Sequence, residues 1–384
     1  MSQTSFPLIF ALWGAGLGAA AQYGKMSVIF DQLPDLYPDA GATLGWVVSL
    51  VGSVGILFGV VAGLLVARIR FRRALLLALW LGALTSAAQA LTLPLPWLLI
   101  TRVVEGISHL GIVVAAPTLI AQLSAPQHRG FTLTLWGTFF GVAFALLTAL
   151  GRPLSLAYGV PALFLAHALY MAFFALYLGL RLRHLPESEG TSRFSVAQMI
   201  YDHAAIYRSP RLAAPAVGWL FYTFSFVSLL TVLPPFVAPD VRAFVMGAMP
   251  LMSIAISLTL GVVLLNRFTA VQVVQLGFFT SAVFALWLWI APGDPAACLA
   301  LAGAMGLVQG ASFAAVPQLN AGAQAQARAN GALAQTGNLG NTLGTPVIAF
   351  ALASLGYAAL PLLIGIAFVC GFCLHALMSM ARQR

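Results

Sequence analysis

Twelve runs of about 20 apolar residues follow one another along this chain of 384 residues, and each is long enough to cross a bilayer. No other feature limits the fold so sharply. Inside hydrocarbon every backbone N–H and C=O must be paired within the protein, and separate apolar runs meet that demand by coiling into helices. The runs fall at about 7–30, 44–67, 74–93, 96–124, 130–151 and 157–181, then at about 212–235, 243–265, 269–291, 296–319, 329–354 and 357–380. Only 7% of the residues are charged, against about 25% in a soluble domain. The expectation is therefore an all-α membrane protein with twelve transmembrane helices in contact with the lipid bilayer. The first run is read as a span and not as a cleaved leader, because Met1-Ser2-Gln3-Thr4-Ser5 holds no basic residue.

The second half echoes the first roughly 200 residues later. Glu105-Gly106-Ile107-Ser108 returns as Gln309-Gly310-Ala311-Ser312, Ala115-Ala116-Pro117 as Ala315-Val316-Pro317, and Gly137 as Gly337. This divides the chain into a six-helix bundle over 1–181, a linker over 182–211 and a second six-helix bundle over 212–384, the two bundles being pseudo-symmetric. Within the linker, Phe194, Ala197, Ile200, Ala204 and Tyr207 recur at helical spacing, the pattern of an amphipathic helix lying on a membrane surface. The plainer reading of the same stretch is a tether.

Basic residues sort to one side. Arg68, Arg70, Arg72, Arg73, Arg129, Arg181, Arg183, Arg193, Arg208, Arg211, Arg267, Arg328, Arg382 and Arg384 lie in or beside the even-numbered connections and the C-terminus. Asp31, Asp35, Asp39, Asp240 and Asp294 lie in the opposite loops. Positive-inside logic puts both termini and the linker in the cytoplasm, with a bacterial inner membrane as the expected location. The net charge of +9 thus belongs to membrane topology, and no nucleic-acid partner is expected.

Ionisable side chains within spans are costly and are functional candidates by default. Arg102, Glu105 and His109 stand three, four and seven apart, within a narrow arc of one helix. The functional reading has Arg102 binding an anionic group or balancing Glu105, while Glu105 and His109 take up and release a proton. The structural reading has Arg102 and Glu105 as a buried pair that fixes packing. Lys25 and Gln22 lie near the far end of span one, and Arg152 at the far end of span five. Lys25, Arg102 and Arg152 together would make a positive funnel that gathers anions, or Lys25 and Arg152 would snorkel to the interface. In the second half the polar candidates are uncharged: Trp219, Tyr222, Gln309 and Asn338 for solute binding, with Gln318, Asn320, Gln335 and Asn341 nearby. His167 and His375 are read as packing residues.

Arg102-Val103-Val104-Glu105-Gly106, an Arg followed by Gly four residues on, resembles the fourth-helix motif of the major facilitator superfamily. Gly63 to Arg68 with Arg72 and Arg73 is similar to that family's loop-2/3 motif, although Ala67 stands where the family has an acidic residue and Arg70 where it has a second glycine. Gly137 and Gly141 do not continue into the Gly-Pro-x-x-Gly-Gly run of many drug–proton antiporters, since Gly151-Arg152-Pro153 stands there. The resemblance implies a single-chain transporter, a monomer, with span four beside a central cavity between halves that rock about the solute. Gly337, Gly340 and Gly344 of span eleven make a face suited to close helix approach.

Nothing points to catalysis or to ATP: there is no His-Glu-x-x-His, Gly-x-Ser-x-Gly or Gly-x-x-x-x-Gly-Lys run. No enzymatic activity, cofactor or resident metal is expected. The expected function is proton-coupled uptake of a small polar or anionic organic solute, with the proton or another ion as coupling partner. Alternatives are efflux of amphiphilic compounds, import of copper through Met246, Met249, Met252, Cys370 and Cys373, and a sensor or assembly factor that moves nothing.

Overall fold

The structure is a computed structural model, and it describes residues 4–125, 128–183, 204–321 and 323–383. Among the described residues the chain forms helices joined by short turns. Span one is Phe6–Val28. Span two runs Leu44–Ser49, tightens into a 3₁₀ turn at Leu50–Gly52 and continues as Ser53–Ile69. Spans three and four are Phe71–Gln89 and Leu95–Leu123. Span five is Arg129–Gly137 and Phe139–Leu146, then a π-helical turn at Leu147–Gly151 and Arg152–Tyr158. Span six is Val160–Arg181. The second half gives Pro210–Val232, Pro239–Leu258 with Leu260–Leu265, Ala270–Ile290, Pro295–Leu319, Ala323–Leu355 and Ala359–Gln383 as spans seven to twelve. The last apolar stretch, Arg328–Gln383, is divided by a short turn at Gly356–Ala358, where Gly356 takes φ +64°. Twelve helical spans in two six-helix bundles are thus observed, with both chain ends on one face, here the termini face.

Local sequence explains where the helices start. Thr269 and Gln272 form a capping box at the head of span nine, and the Asp294 carboxylate accepts the Ala297 N–H at 2.8 Å at the head of span ten. Gly159 turns span five into span six at φ +83°, a backbone that a side chain would strain. Arg70 adopts φ +73° between spans two and three. It stands where the resemblance expects glycine, and the left-handed backbone is the physical reason glycine suits that position. The surface helix expected in the linker lies mostly outside the described residues. Near its end, Tyr207 donates its hydroxyl to Gln335 Oε1 at 2.8 Å.

The sequence echo has a packing counterpart. Span four packs on span two where Gly106 meets the Val51 carbonyl, and span ten packs on span eight where Gly310 meets Ser257. The buried apolar core is continuous across the two halves on the face away from the termini, joining Met26, Phe144, Phe226, Val227 and Leu230. Toward the termini face, the cluster around Ile9, Leu12, Leu75, Leu119 and Leu178 belongs to the first half alone. The seam between halves is therefore closed at the far face, where Ser27 and Thr231 hydroxyls meet at 2.7 Å.

Candidate functional site

Span one sends Tyr23 out in one direction and Gln22 with Lys25, three residues apart, in another, because neighbouring helical residues diverge by about 100°. Lys25 turns into the first bundle. Its ammonium donates to Ser86 Oγ at 2.5 Å, Gln89 Oε1 at 2.7 Å and Glu105 Oε1 at 2.6 Å, and lies 5.4 Å from the centre of the Phe164 ring. Glu105 Oε2 accepts from Arg102 Nη1 and, at 3.1 Å, from Gln89 Nε2. Lys25, Arg102 and Glu105 are 0% exposed.

Burying three charges costs several kcal/mol per ion unless each finds partners. Arg102 finds them in a break of span two. Where that helix tightens at Leu50–Gly52, the carbonyls of Val47 and Val48 turn toward span four and accept from Arg102 Nε at 2.6 Å and Nη2 at 3.2 Å. Nη2 also donates to the Gln22 carbonyl at 2.5 Å. Among its described residues the second half has no such device. By the echo, Gly306 stands in the place of Arg102 and presses against the Ser253 backbone, its missing Cβ coming within 3.1 Å of Ser253 Cα. Gln309 stands in the place of Glu105 and accepts from Ser253 Oγ at 3.2 Å. The charged site is an elaboration of the first half only.

Other predicted residues sit at the seam. His109 donates from Nδ1 to the Ala19 carbonyl at 3.0 Å and stands edge-on to Tyr23, ring centres 5.2 Å apart. Gln22 Nε2 donates to Ser108 Oγ at 2.8 Å, while its buried Oε1 lacks a hydrogen-bond partner. Trp219 stacks on Tyr222 at 4.8 Å, Tyr222 on Phe226 at 5.3 Å, and Phe226 meets Phe144 of the first half at 5.9 Å. The rings thus form a continuous aromatic ladder from one half into the other. Asn338 lies against Gly55 across the seam, and its Nδ2 donates to the Ala334 carbonyl at 2.9 Å.

The structure thus gathers Gln22, Lys25, Arg102, Glu105 and His109 around spans one to four, and places Trp219, Tyr222 and Asn338 along the seam. Gln309 stays inside the second bundle. The outward positive funnel is not formed: Lys25 and Arg102 are sealed, and Arg152 pairs with Asp31 through two hydrogen bonds of 2.8 and 2.7 Å. Partial burial pushes the Asp31 carboxyl up, but the hydrogen bonds and charge of Arg152 outweigh it and hold Asp31 below the usual aspartate range. The sulfur ligands do not gather either. Met246 and Met249 pack in the buried core, whereas Cys370 and Cys373 are exposed on span twelve.

Sequence reasoning missed Ser86, Gln89 and His167 as members of the charged cluster, and Tyr23 and Thr342 at the seam. His167 is not a packing residue: Ser86 Oγ lies 2.7 Å from its Nδ1, and its Nε2 is 2.9 Å from the Gly18 carbonyl. Two signals were present. Ser86 and Gln89 share a helix face, three apart, and His167 is an ionisable group in a span.

Residues 12–345 match the model of the Major Facilitator Superfamily. A relative from Bacillus subtilis (strain 168), NiaP, whose name proposes niacin/nicotinamide transport, is 30% identical over 182 residues. That match covers 46% of this chain and 45% of NiaP, less than half the relative's length. The crystal structure of a bacterial homologue of the human lysosomal transporter Spinster, in an inward-facing and occupied conformation, superposes with a TM-score of 0.75 at 15% identity. The superposition covers 97% of this chain and 96% of that one. This chain belongs to the Major Facilitator Superfamily, a family of membrane carriers.

Proposed function

We propose that the protein takes up a small anionic or polar aromatic solute by alternating access, driven by the proton gradient. The observation that carries this reading is a charge imbalance. Within the first bundle, Lys25 and Arg102 are buried against one carboxylate, Glu105. In a medium of low dielectric the excess positive charge favours an anion in the adjoining seam, and it makes Glu105 the group whose protonation changes the field. Lys25 and Arg102 act through that field and through span one. The direct contacts to solute fall to the seam: His109, Tyr23, Trp219, Tyr222 and Asn338. The aromatic ladder suits a flat ring, and NiaP supports pyridine carboxylates or carboxamides as the class to test first. On the topology expected from the basic residues, the closed far face is the outer one.

The test is uptake of labelled nicotinate and nicotinamide by proteoliposomes under an imposed pH gradient. Wild-type protein is expected to accumulate solute. Glu105→Gln should lose gradient-driven accumulation by tenfold or more while still catalysing counterflow exchange. Equal loss of both activities would remove the proton role of Glu105. Extrusion of solute with the same gradient would instead establish efflux.

A further inference from the structure

The buried cluster contains a hydrogen-bonded chain that links Lys25 of span one to His167 of span six through the hydroxyl of Ser86. Lys25 Nζ is 2.5 Å from Ser86 Oγ, and Ser86 Oγ is 2.7 Å from His167 Nδ1. The direction of each bond follows from its partners. The Gly18 carbonyl, 2.9 Å from His167 Nε2, only accepts, so Nε2 carries the hydrogen and Nδ1 of the neutral ring is the acceptor. Ser86 therefore donates to His167 over the shorter of its two acceptor contacts, Glu105 Oε1 lying 3.4 Å away, and accepts from Lys25, whose Nζ also stands 3.4 Å from His167 Nδ1 directly. All three side chains are buried, Lys25 and Ser86 at 0% and His167 at 5% exposure.

We propose that this chain is a proton relay, and that His167 is a second proton site linked to Glu105. This rests on the proton role given above to Glu105. When Glu105 takes up a proton it no longer offsets Lys25 and Arg102, and two cations are left facing one neutral acid. The relay then moves one of these two charges. The Lys25 N–H bond breaks and its proton joins Ser86 Oγ, while the hydrogen of Ser86 moves to His167 Nδ1. Lys25 ends as a neutral amine, Ser86 is regenerated with its hydroxyl reversed, and His167 becomes an imidazolium. One proton has moved and the net charge is unchanged, but the positive charge now sits on span six. The charged groups facing His167 are Lys25 from span one and Glu105 and Arg102 from span four, with the Ser86 hydroxyl from span three. Gln89, which binds both Lys25 and Glu105, also lines a small crevice with Tyr37, Thr92, Val160 and Phe164. Every residue lining that crevice belongs to the first half.

The experiment uses full-length protein in lipid, labelled with ¹⁵N-histidine, with the His167 signals assigned by loss in His167→Gln. Glu105→Gln mimics the protonated acid. In that background His167 Nδ1 should shift from an acceptor toward a protonated nitrogen. Adding Ser86→Ala should slow proton exchange at Nδ1 at least tenfold, and Ser86→Thr, which keeps the hydroxyl, should restore the rate. Equal exchange rates at Nδ1 with and without Ser86→Ala overturn the relay, as does an Nδ1 that stays unprotonated in the Glu105→Gln protein. The readout needs no transported solute, so it separates the two ideas. Relay behaviour in a protein that accumulates nothing under a pH gradient would remove the uptake reading alone. Gradient-driven uptake with His167 indifferent to Ser86 would remove the relay alone.

Discussion

Arg102 has more partners than one carboxylate supplies, and this explains why arginine stands there. Its planar fork reaches two carbonyls of span two, one of span one and Glu105 at once, whereas a lysine ammonium would present a point charge with three donors. On the far face the pairing is simpler. Asp31 and Arg152 form a two-pronged bridge, and Arg152 also donates to the Val28 carbonyl at 2.9 Å. The Asp31 carboxyl is held below its ordinary value when folded, so its contribution is present above about pH 4 and fades as pH falls through the lowered folded value. Both side chains are partly exposed, so screening limits that contribution to about 1 kcal/mol or less. Asp31→Asn should remove this acid limb from a plot of melting temperature against pH and leave the neutral region lower by a degree or two.

Among the elements, spans two and eleven decide how closely the halves approach. Gly45, Gly52, Gly55 and Gly59 of span two all face span eleven. A Cβ at Gly45 would lie 2.7 Å from Pro346 Cα, which is backbone and cannot swing away; one at Gly59 would lie 3.1 Å from Gln335 Cα. Gly45→Ala should therefore push the spans apart at the far face, at a cost of about 1–3 kcal/mol, and Gly59→Ala should cost less. Labelling of a cysteine placed at Ser27 measures it: faster reaction in Gly45→Ala, little change in Gly59→Ala. The glycines expected on span eleven serve a different contact. Gly337 packs on Trp219, while Gly340 lies 2.7 Å from Phe224 N measured from its missing Cβ, so both join span eleven to span seven within the second half.

The whole molecule is closed on the face away from the termini. Ser27 and Thr231 touch there, and the core passes from Phe144 to Phe226 without interruption. The alternating access proposed above requires this contact to open in each cycle. With Cys298, Cys370 and Cys373 replaced, a Ser27→Cys, Thr231→Cys pair should oxidise to a disulfide and stop transport, and reduction should restore it. Transport that continues with the bond formed would show that the halves do not part at this face.

How much could be read in advance follows from which forces are local. Hydrocarbon imposes helices on every long apolar run, and helical spacing puts Arg102, Glu105 and His109 on one arc, so the spans, the two halves and the centre of the site were legible in residue order alone. The partners of that centre were not. Lys25, Ser86, Gln89, Glu105 and His167 come from four different spans and meet only when the bundle packs. The orientation of Lys25 was beyond reach for the same reason. An ammonium near the end of an apolar helix can turn to water or inward, and the balance depends on acceptors supplied by distant segments. Periodicity along one chain says which face a residue occupies; only tertiary packing decides what that face meets, and therefore whether a charge ends up as a surface lure for anions or as a sealed member of a buried charged cluster.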